Sequence, residues 1–316
     1  MASNSNVSNE TELANGELED DAPFKKPPST ATEQEDLPLT VYSPQAAVRE
    51  PVKLFGDIAD GFIKGRELAW RLFVRNLRGM YRQTLLGLFW AFLPPIANTA
   101  IWIFLKSQNV FSMGDTGVDA TVYILTGMIL WQAFIDAFQA PMRLLNTNRN
   151  MISKLNFPRE SLLMVAMGEV LFNLAIRILL LIPAFVWFGV TVNLATLTAI
   201  PAIFCLVLLG LAMGLLIMPV GSLYQDVGRF ITMFVPFWMI ITPIIYVPPT
   251  AYPGTLLNWV NPASPLLIFS RDLLLTGNSH HLTAGLLFAV IAIPLFLLGL
   301  VVYRVSLPHL IERMPA

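Results

Sequence analysis

Six apolar runs, each about 20 residues long, constrain this chain more than any other feature: Leu85–Leu105, Ala120–Phe138, Leu162–Val186, Thr196–Val220, Phe230–Val247 and Ala284–Val305. In hydrocarbon no water is at hand for a bare N–H or C=O. A run of that length therefore crosses as a helix, which satisfies its own backbone. The expected fold is an all-α membrane protein with six transmembrane helices. Composition agrees: 55% of residues are hydrophobic and 13% are charged, against about 25% charged in a soluble domain. That deficit excludes a water-soluble, single-core enzyme.

Positive charge orients the spans. Lys64, Arg66, Arg71, Arg75, Arg78 and Arg82 precede the first span, and Arg143, Arg149, Lys154 and Arg159 follow the second. Arg229 follows the fourth, and Arg304 and Arg313 lie in the tail, while Lys106 and Arg271 fall on the opposite side. The bias places both termini in the cytoplasm, which an even number of spans also requires.

Ahead of the spans the chain changes character twice. Residues 1–54 are rich in Asp, Glu, Ser, Asn, Thr and Pro, a composition that buries no core and predicts a disordered acidic cytoplasmic extension. It holds no apolar h-region, so no cleavable signal peptide is expected. Residues 55–84 read as an amphipathic helix. Trp70, Phe73, Val74, Leu77 and Tyr81 share one side, and Arg71, Arg75, Arg78 and Arg82 a neighbouring side about 110° away. Such a helix lies in the headgroup layer, with its guanidinium groups among phosphates. Residues 85–316 then form the six-span domain. Cys205 is the one cysteine, so no intrachain disulfide forms and a packing role is expected.

The loop Pro248–Asn278 is predicted to form two short helices on the outer face. One starts at Pro253 and runs to Val260. Asn261-Pro262 breaks it. A second helix, capped by Ser264 with Pro265 at its first position, runs to Leu275 and stops at Gly277. Both are too short to cross, so the loop before the last span is expected to be re-entrant or interfacial.

No catalytic constellation is visible. His280, His281 and His309 lie outside the spans without a Cys or acidic cluster, so no metal site is expected. No G-x-x-x-x-G-K-[ST] loop occurs, so the chain does not cradle ATP phosphates by that device. Charges inside the spans are few. Glu169, Asn173 and Arg177 recur every four residues on one face, and Asp136 is placed near the cytoplasmic end of the second span. With no internal repeat and few intramembrane acids, the pattern disfavours an ion-coupled transporter. Trp90, Trp102, Trp131 and Trp238 suit either an interfacial belt and core packing or a stacking lane for sugar rings. In the cytoplasmic loop Leu144–Glu160, Met151, Ile152 and Leu155 make an apolar edge on a short polar helix before Phe157-Pro158 restarts the chain. That edge fits a groove on a soluble partner or the lipid surface.

At these residues the chain resembles the permease subunit of polysaccharide-exporting ABC-2 type transporters, which move O-antigen, capsule and teichoic-acid polymers. Tyr81-Arg82-Gln83-Thr84-Leu85-Leu86-Gly87-Leu88-Phe89-Trp90, followed by Pro94-Pro95, resembles the family's entry into its first span. Phe157-Pro158-Arg159-Glu160 is similar to the end of its first cytoplasmic coupling loop, and Asn261-Pro262 with Arg271 to its outer loop. Two departures stand out: the acidic extension is longer than the family core needs, and Tyr224-Gln225-Asp226 stands where such permeases often carry an Arg before the Asp.

The resemblance implies a multi-pass homodimer in a bacterial inner (cytoplasmic) membrane, with two separately encoded ATP-binding subunits beneath. ATP and Mg would sit on those subunits, and this chain would bind no cofactor and no nucleic acid. The substrate would be a glycan on a polyprenyl diphosphate. Arg71, Arg75, Arg78 and Arg82 would attract the lipid diphosphate or anchor to anionic membrane lipids. Met151, Lys154, Phe157, Pro158, Arg159 and Glu160, with Asp226 and Arg229, would receive the ATPase's motion. Trp90, Trp102, Trp131 and Trp238 would offer sugar-stacking faces, and the outer loop would close the exit. An exporter of a small drug or lipid shares the helix count. A membrane-embedded glycosyltransferase or acyltransferase would need clustered acids or histidines, which the sequence lacks.

Overall fold

The most apolar run becomes the centre of the bundle. The computed structural model describes residues 51–82, 89–110, 113–148 and 158–312, all within one unit. Among the described residues the regular structure is entirely helical. In chain order the helices are α1 (Pro51–Arg82), α2 (Phe89–Ser107), α3 (Ala120–Thr147), α4 (Glu160–Trp187), a 3-10 turn (Leu194–Thr198), α5 (Ala199–Leu223), α6 (Gln225–Ile241), α7 (Gly254–Val260), α8 (Ala263–Thr276) and α9 (Leu282–Glu312). Four segments are long and apolar enough to cross a membrane: Ala120–Thr147, Glu160–Trp187, Leu194–Leu223 and Leu282–Leu310. The runs expected as first and fifth spans yield the shorter helices α2 and α6.

Helix α5 packs between α3 and α9. Gly210 and Gly214 allow it to lie against the α3 backbone. A Cβ on Gly210 would come within 2.6 Å of the Phe134 carbonyl oxygen, and one on Gly214 would collide with the Phe138 carbonyl. With lipid outside as apolar as the core, such close van der Waals approach is what holds membrane helices together. Phe134, Leu206, Leu211 and Leu215 fill the seam with no side-chain exposure to speak of.

Helix α1 runs beside α4 in the same direction, with Gly61 against Glu160 and Phe73 against Gly168, and begins at Pro51, ahead of the expected start at residue 55. Its stripe of apolar residues divides. Leu54, Ile58, Ala69 and Leu72 are buried, and Phe73 turns inward over Gly168 and edge-on to Phe172, 6.2 Å between ring centres. Trp70 is 65% exposed. The bundle, as well as the lipid, therefore claims part of the face that periodicity assigns to the membrane.

Three sequence expectations are revised. The fifth apolar run does not continue as helix to Val247: α6 ends at Ile241, and Thr242 is extended (φ −80, ψ 132). Pro243 is the cause, because it disfavours the helical region for the residue before it and has no N–H to give. Asp136 is not near the end of its helix, because α3 continues through Pro141 to Thr147, about 16 Å further. Ser264 does not cap α8. The helix starts from Pro262, and the Asn261 side-chain oxygen accepts the Ala263 N–H at 3.2 Å. The stop at Gly277 is as expected, with the glycine in the left-handed region (φ 74).

Candidate functional site

After α3 the described chain resumes at Pro158, and there three elements distant in sequence meet. Glu160 opens α4 and is buried, its Oε1 receiving a hydrogen bond and ion pair from Arg304 Nη1 of α9 at 2.5 Å. Arg304 Nη2 stands 3.7 Å from Asp57 of α1. The Tyr303 hydroxyl donates to the Arg159 carbonyl at 2.7 Å, and Ser161 Oγ donates to the Pro158 carbonyl at 2.7 Å. Pro158, Arg159 and Glu160 are thus brought together with residues that sequence reasoning missed: Asp57, Tyr303 and Arg304. Arg304 was visible only as one more positive charge near a span end. Met151, Lys154 and Phe157 lie outside the described residues.

Asp226 and Arg229 sit apart from this junction, at the start of α6. Their ion pair spans 3.4 Å in open solvent, a setting that contributes about 0–1 kcal/mol. Beside Arg229 a cleft of about 770 Å³ opens between the end of α3 and the α5–α6 turn, lined by Asn146, Gly221, Ser222, Gln225 and Thr232. It is a recess of mixed lining, with Leu223 and Met233 beside the polar groups, facing the same end of the bundle as the Glu160 junction.

The arginines of α1 are not equivalent. Arg71 bonds Glu67 one turn back at 2.5 Å, fully in solvent. Arg75 reaches Asn76 and, at 3.3 Å, Asn148 at the end of α3. Asn76 in turn donates to Glu169 at 2.8 Å, and Arg143 approaches the same carboxylate at 4.0 Å. Arg78 is exposed. The Arg82 side chain lies outside the described residues. The polar stripe of α4 is therefore resolved between helices and not along itself: Glu169 faces α1 and α3, while Arg177 pairs with Asp136 of α3 at 2.5 Å, with Gln132 donating to the same aspartate at 2.9 Å.

The four tryptophans also separate. Trp131 is 3% exposed and meets Trp238 edge-on at 5.6 Å; Phe134 and Phe138 pack on Trp238 in the same manner. The faces of Trp131 are covered by protein, which corrects its expected place in a stacking lane: edge-to-face packing of this kind holds α6 on α3. Trp102 is half-buried against the core, and Trp90 is 54% exposed on α2.

At the opposite end of the bundle, Arg271 of α8 has no solvent exposure at all. Its guanidinium lies 3.8 Å from the centre of the Tyr123 ring, and its Nη1 donates to the carbonyls of Pro243 and Ile244 at 2.8 and 3.1 Å. Those carbonyls lie just past the end of α6, whose last carbonyls, of Ile240 and Ile241, accept from the Tyr246 hydroxyl. Asn261 makes a second tie, accepting from Trp238 Nε1 at 2.9 Å and donating to Thr242 Oγ1 at 2.8 Å. The two short outer helices are thereby fastened to the end of α6 and to α3. Burial pushes the neighbouring Asp272 carboxyl above its ordinary range, against the opposing pull of Arg271 and the hydrogen bond from Ser279. His280 and His281 line a pocket of about 230 Å³ with Asn258 and Trp259. Among the described residues no group of His, Cys, Asp or Glu is arranged to hold a metal ion.

A family model described as ABC-2 type transporter matches residues 67–275. The chain is also similar to an O-antigen export system permease protein RfbA of Klebsiella pneumoniae, 23% identical over 225 residues, which are 68% of this chain and 82% of that protein. A second protein of that name from the same species is 21% identical over 241 residues, 73% of this chain and 88% of its own length.

Proposed function

The chain belongs to the ABC-2 type transporter family, and from that membership we propose that it is the transmembrane permease subunit of an ATP-driven exporter of a lipid-linked, O-antigen-like polysaccharide. One observation carries the substrate class: two relatives named O-antigen export permeases align with it over most of both chains. The membrane would be a bacterial inner membrane, with both termini in the cytoplasm and α2 and α6 completing six spans. ATP and Mg would be bound by two separate subunits. A second copy of the chain would shelter α2 and α6. These are the shortest candidate spans, and α6 has only Ile231 buried.

In this reading Arg78 meets the carrier's diphosphate or the anionic headgroups around it, since guanidinium pairs well with phosphate oxygens. Arg71 and Arg75 share that charge, with Arg75 also holding α1 to the foot of α3. Trp90 and Trp102 remain as surfaces on which a sugar face can stack. The ATPase pushes at the loop ending in Pro158-Arg159-Glu160 and at the cleft by Arg229, and the helices tied to Arg271 close the outer end between export cycles.

Deletion of the gene tests the proposal. Loss of surface polysaccharide with lipid-linked polymer accumulating inside is the expected result. Normal surface polysaccharide together with raised drug sensitivity would overturn it in favour of a small-molecule exporter.

A further inference from the structure

The junction of Asp57, Glu160 and Arg304 joins the element that leaves the cytoplasmic loop to the helix lying at the membrane surface. Arg304 and Glu160 have side chains only 16% and 11% exposed, and Asp57 is 53% exposed. A guanidinium is a rigid planar fork with several N–H directions. Here one Nη faces α4 and the other faces α1, so a single side chain spans both. The fit is close. A Cβ on Gly61 of α1 would come within 2.5 Å of the Glu160 carboxylate, and one on Gly65 would strike Ser161 Oγ. Tyr303, next to Arg304, holds the Arg159 carbonyl. Three consecutive residues at the head of α4 are thus gripped by α1 and α9 together.

From this geometry we infer that Arg304 is a positioning residue that makes α1 move with the foot of α4, so that a push on the cytoplasmic loop reaches the arginine-bearing helix in the headgroup layer. The inference rests on the reading of this chain as a permease driven by an ATP-binding partner. Its physical basis is resistance to slip. Sliding α1 past α4 draws Asp57 away from Arg304 and drives the α1 backbone at Gly61 and Gly65 across the Glu160 carboxylate and Ser161 Oγ packed against it, where there is no room to give. A junction that only glued the fold would have no need of an arm to α1. The Glu160–Arg304 pair already ties α4 to α9.

Asp57→Asn and Arg304→Gln separate the two roles. Each is expressed with the ATP-binding subunits in a strain lacking the native gene, and three quantities are read: complex recovered, ATP hydrolysis by the purified complex, and surface polysaccharide on the cells. Asp57 is half-exposed, so Asp57→Asn leaves the fold and the inner pair standing. It is expected to leave recovery and hydrolysis near the parent level while export falls about threefold to tenfold, with Arg304→Gln losing about tenfold or more. Unchanged export in Asp57→Asn, or losses in both variants that merely follow the amount of complex recovered, would overturn the linkage. The parent chain measured alongside reports on the permease reading: absence of ATP-driven export there would overturn that reading, and this inference with it.

Discussion

Among the described residues Arg271 is the largest fully buried side chain. Its bonds to the Pro243 and Ile244 carbonyls satisfy acceptors that no helix turn serves. Arg271→Met keeps a similar volume but leaves both carbonyls without a donor, a loss of about 2–6 kcal/mol at roughly 1–3 per group. Thermal unfolding in detergent should show it as a clear drop in midpoint. The pair Asp136–Arg177 makes a different prediction. Arg177→Leu leaves a buried aspartate alone and should destabilise by about 3–5 kcal/mol, whereas Asp136→Leu with Arg177→Leu should recover most of that. Asp272 sets a pH dependence. Its folded-state carboxyl holds a proton to higher pH than an unfolded chain would, so its contribution is fullest below the ordinary carboxylate value and is lost as pH rises through the raised one. Asp272→Asn should flatten that decline in a pH series of melting curves.

At the scale of elements, contact between α3 and α5 is decided by backbone proximity. Gly214→Leu would drive a side chain into the Phe138 carbonyl, which cannot move without unseating α3. Loss of the monodisperse peak in size-exclusion chromatography is the expected outcome. Gly79→Ala on α1 is the counterpart. Nothing lies within 4 Å of its Cβ position, and alanine in a helix interior is favoured by about 1 kcal/mol. That variant should melt no earlier than the parent. The contrast assigns helix association to small-residue packing and not to propensity. The end of α6 at Pro243 belongs to the same scale. A proline closes one helix, and an arginine on another helix takes up the carbonyls of the turn that follows.

For the whole molecule the telling asymmetry is between its two ends. One end carries the Glu160 junction and the cleft beside Arg229; the other carries short helices anchored through Arg271 and Asn261. Charge on α1 is the feature most open to test. Arg78→Glu alters an exposed site without breaking an internal bond, whereas Arg75→Glu also removes the tie to Asn148. Arg78→Glu is therefore expected to lower export several-fold, with binding energy near an anionic surface falling by about 1 kcal/mol per basic residue removed. Complex yield should hold. Surface polysaccharide and yield, measured together, check it.

Much of this architecture is legible in the residues alone, for a physical reason. Hydrocarbon forces an apolar segment to close its own hydrogen bonds, so the places where helices form follow from composition along the chain. Asn261-Pro262 and Gly277 mark breaks for equally local reasons. Partnership is different. Glu169 and Arg177 share a face of α4, yet they pair with other helices. Arg271 looks like an outer-side charge and is buried over Tyr123, and Trp131, which by sequence suits either core packing or a stacking lane, is covered. Asp57, Glu160 and Arg304 meet across the whole length of the chain. Each of these depends on how far one helix is rotated about its axis and how high it stands beside the next. Periodicity within a helix carries neither quantity, and only packing of the assembled bundle sets them.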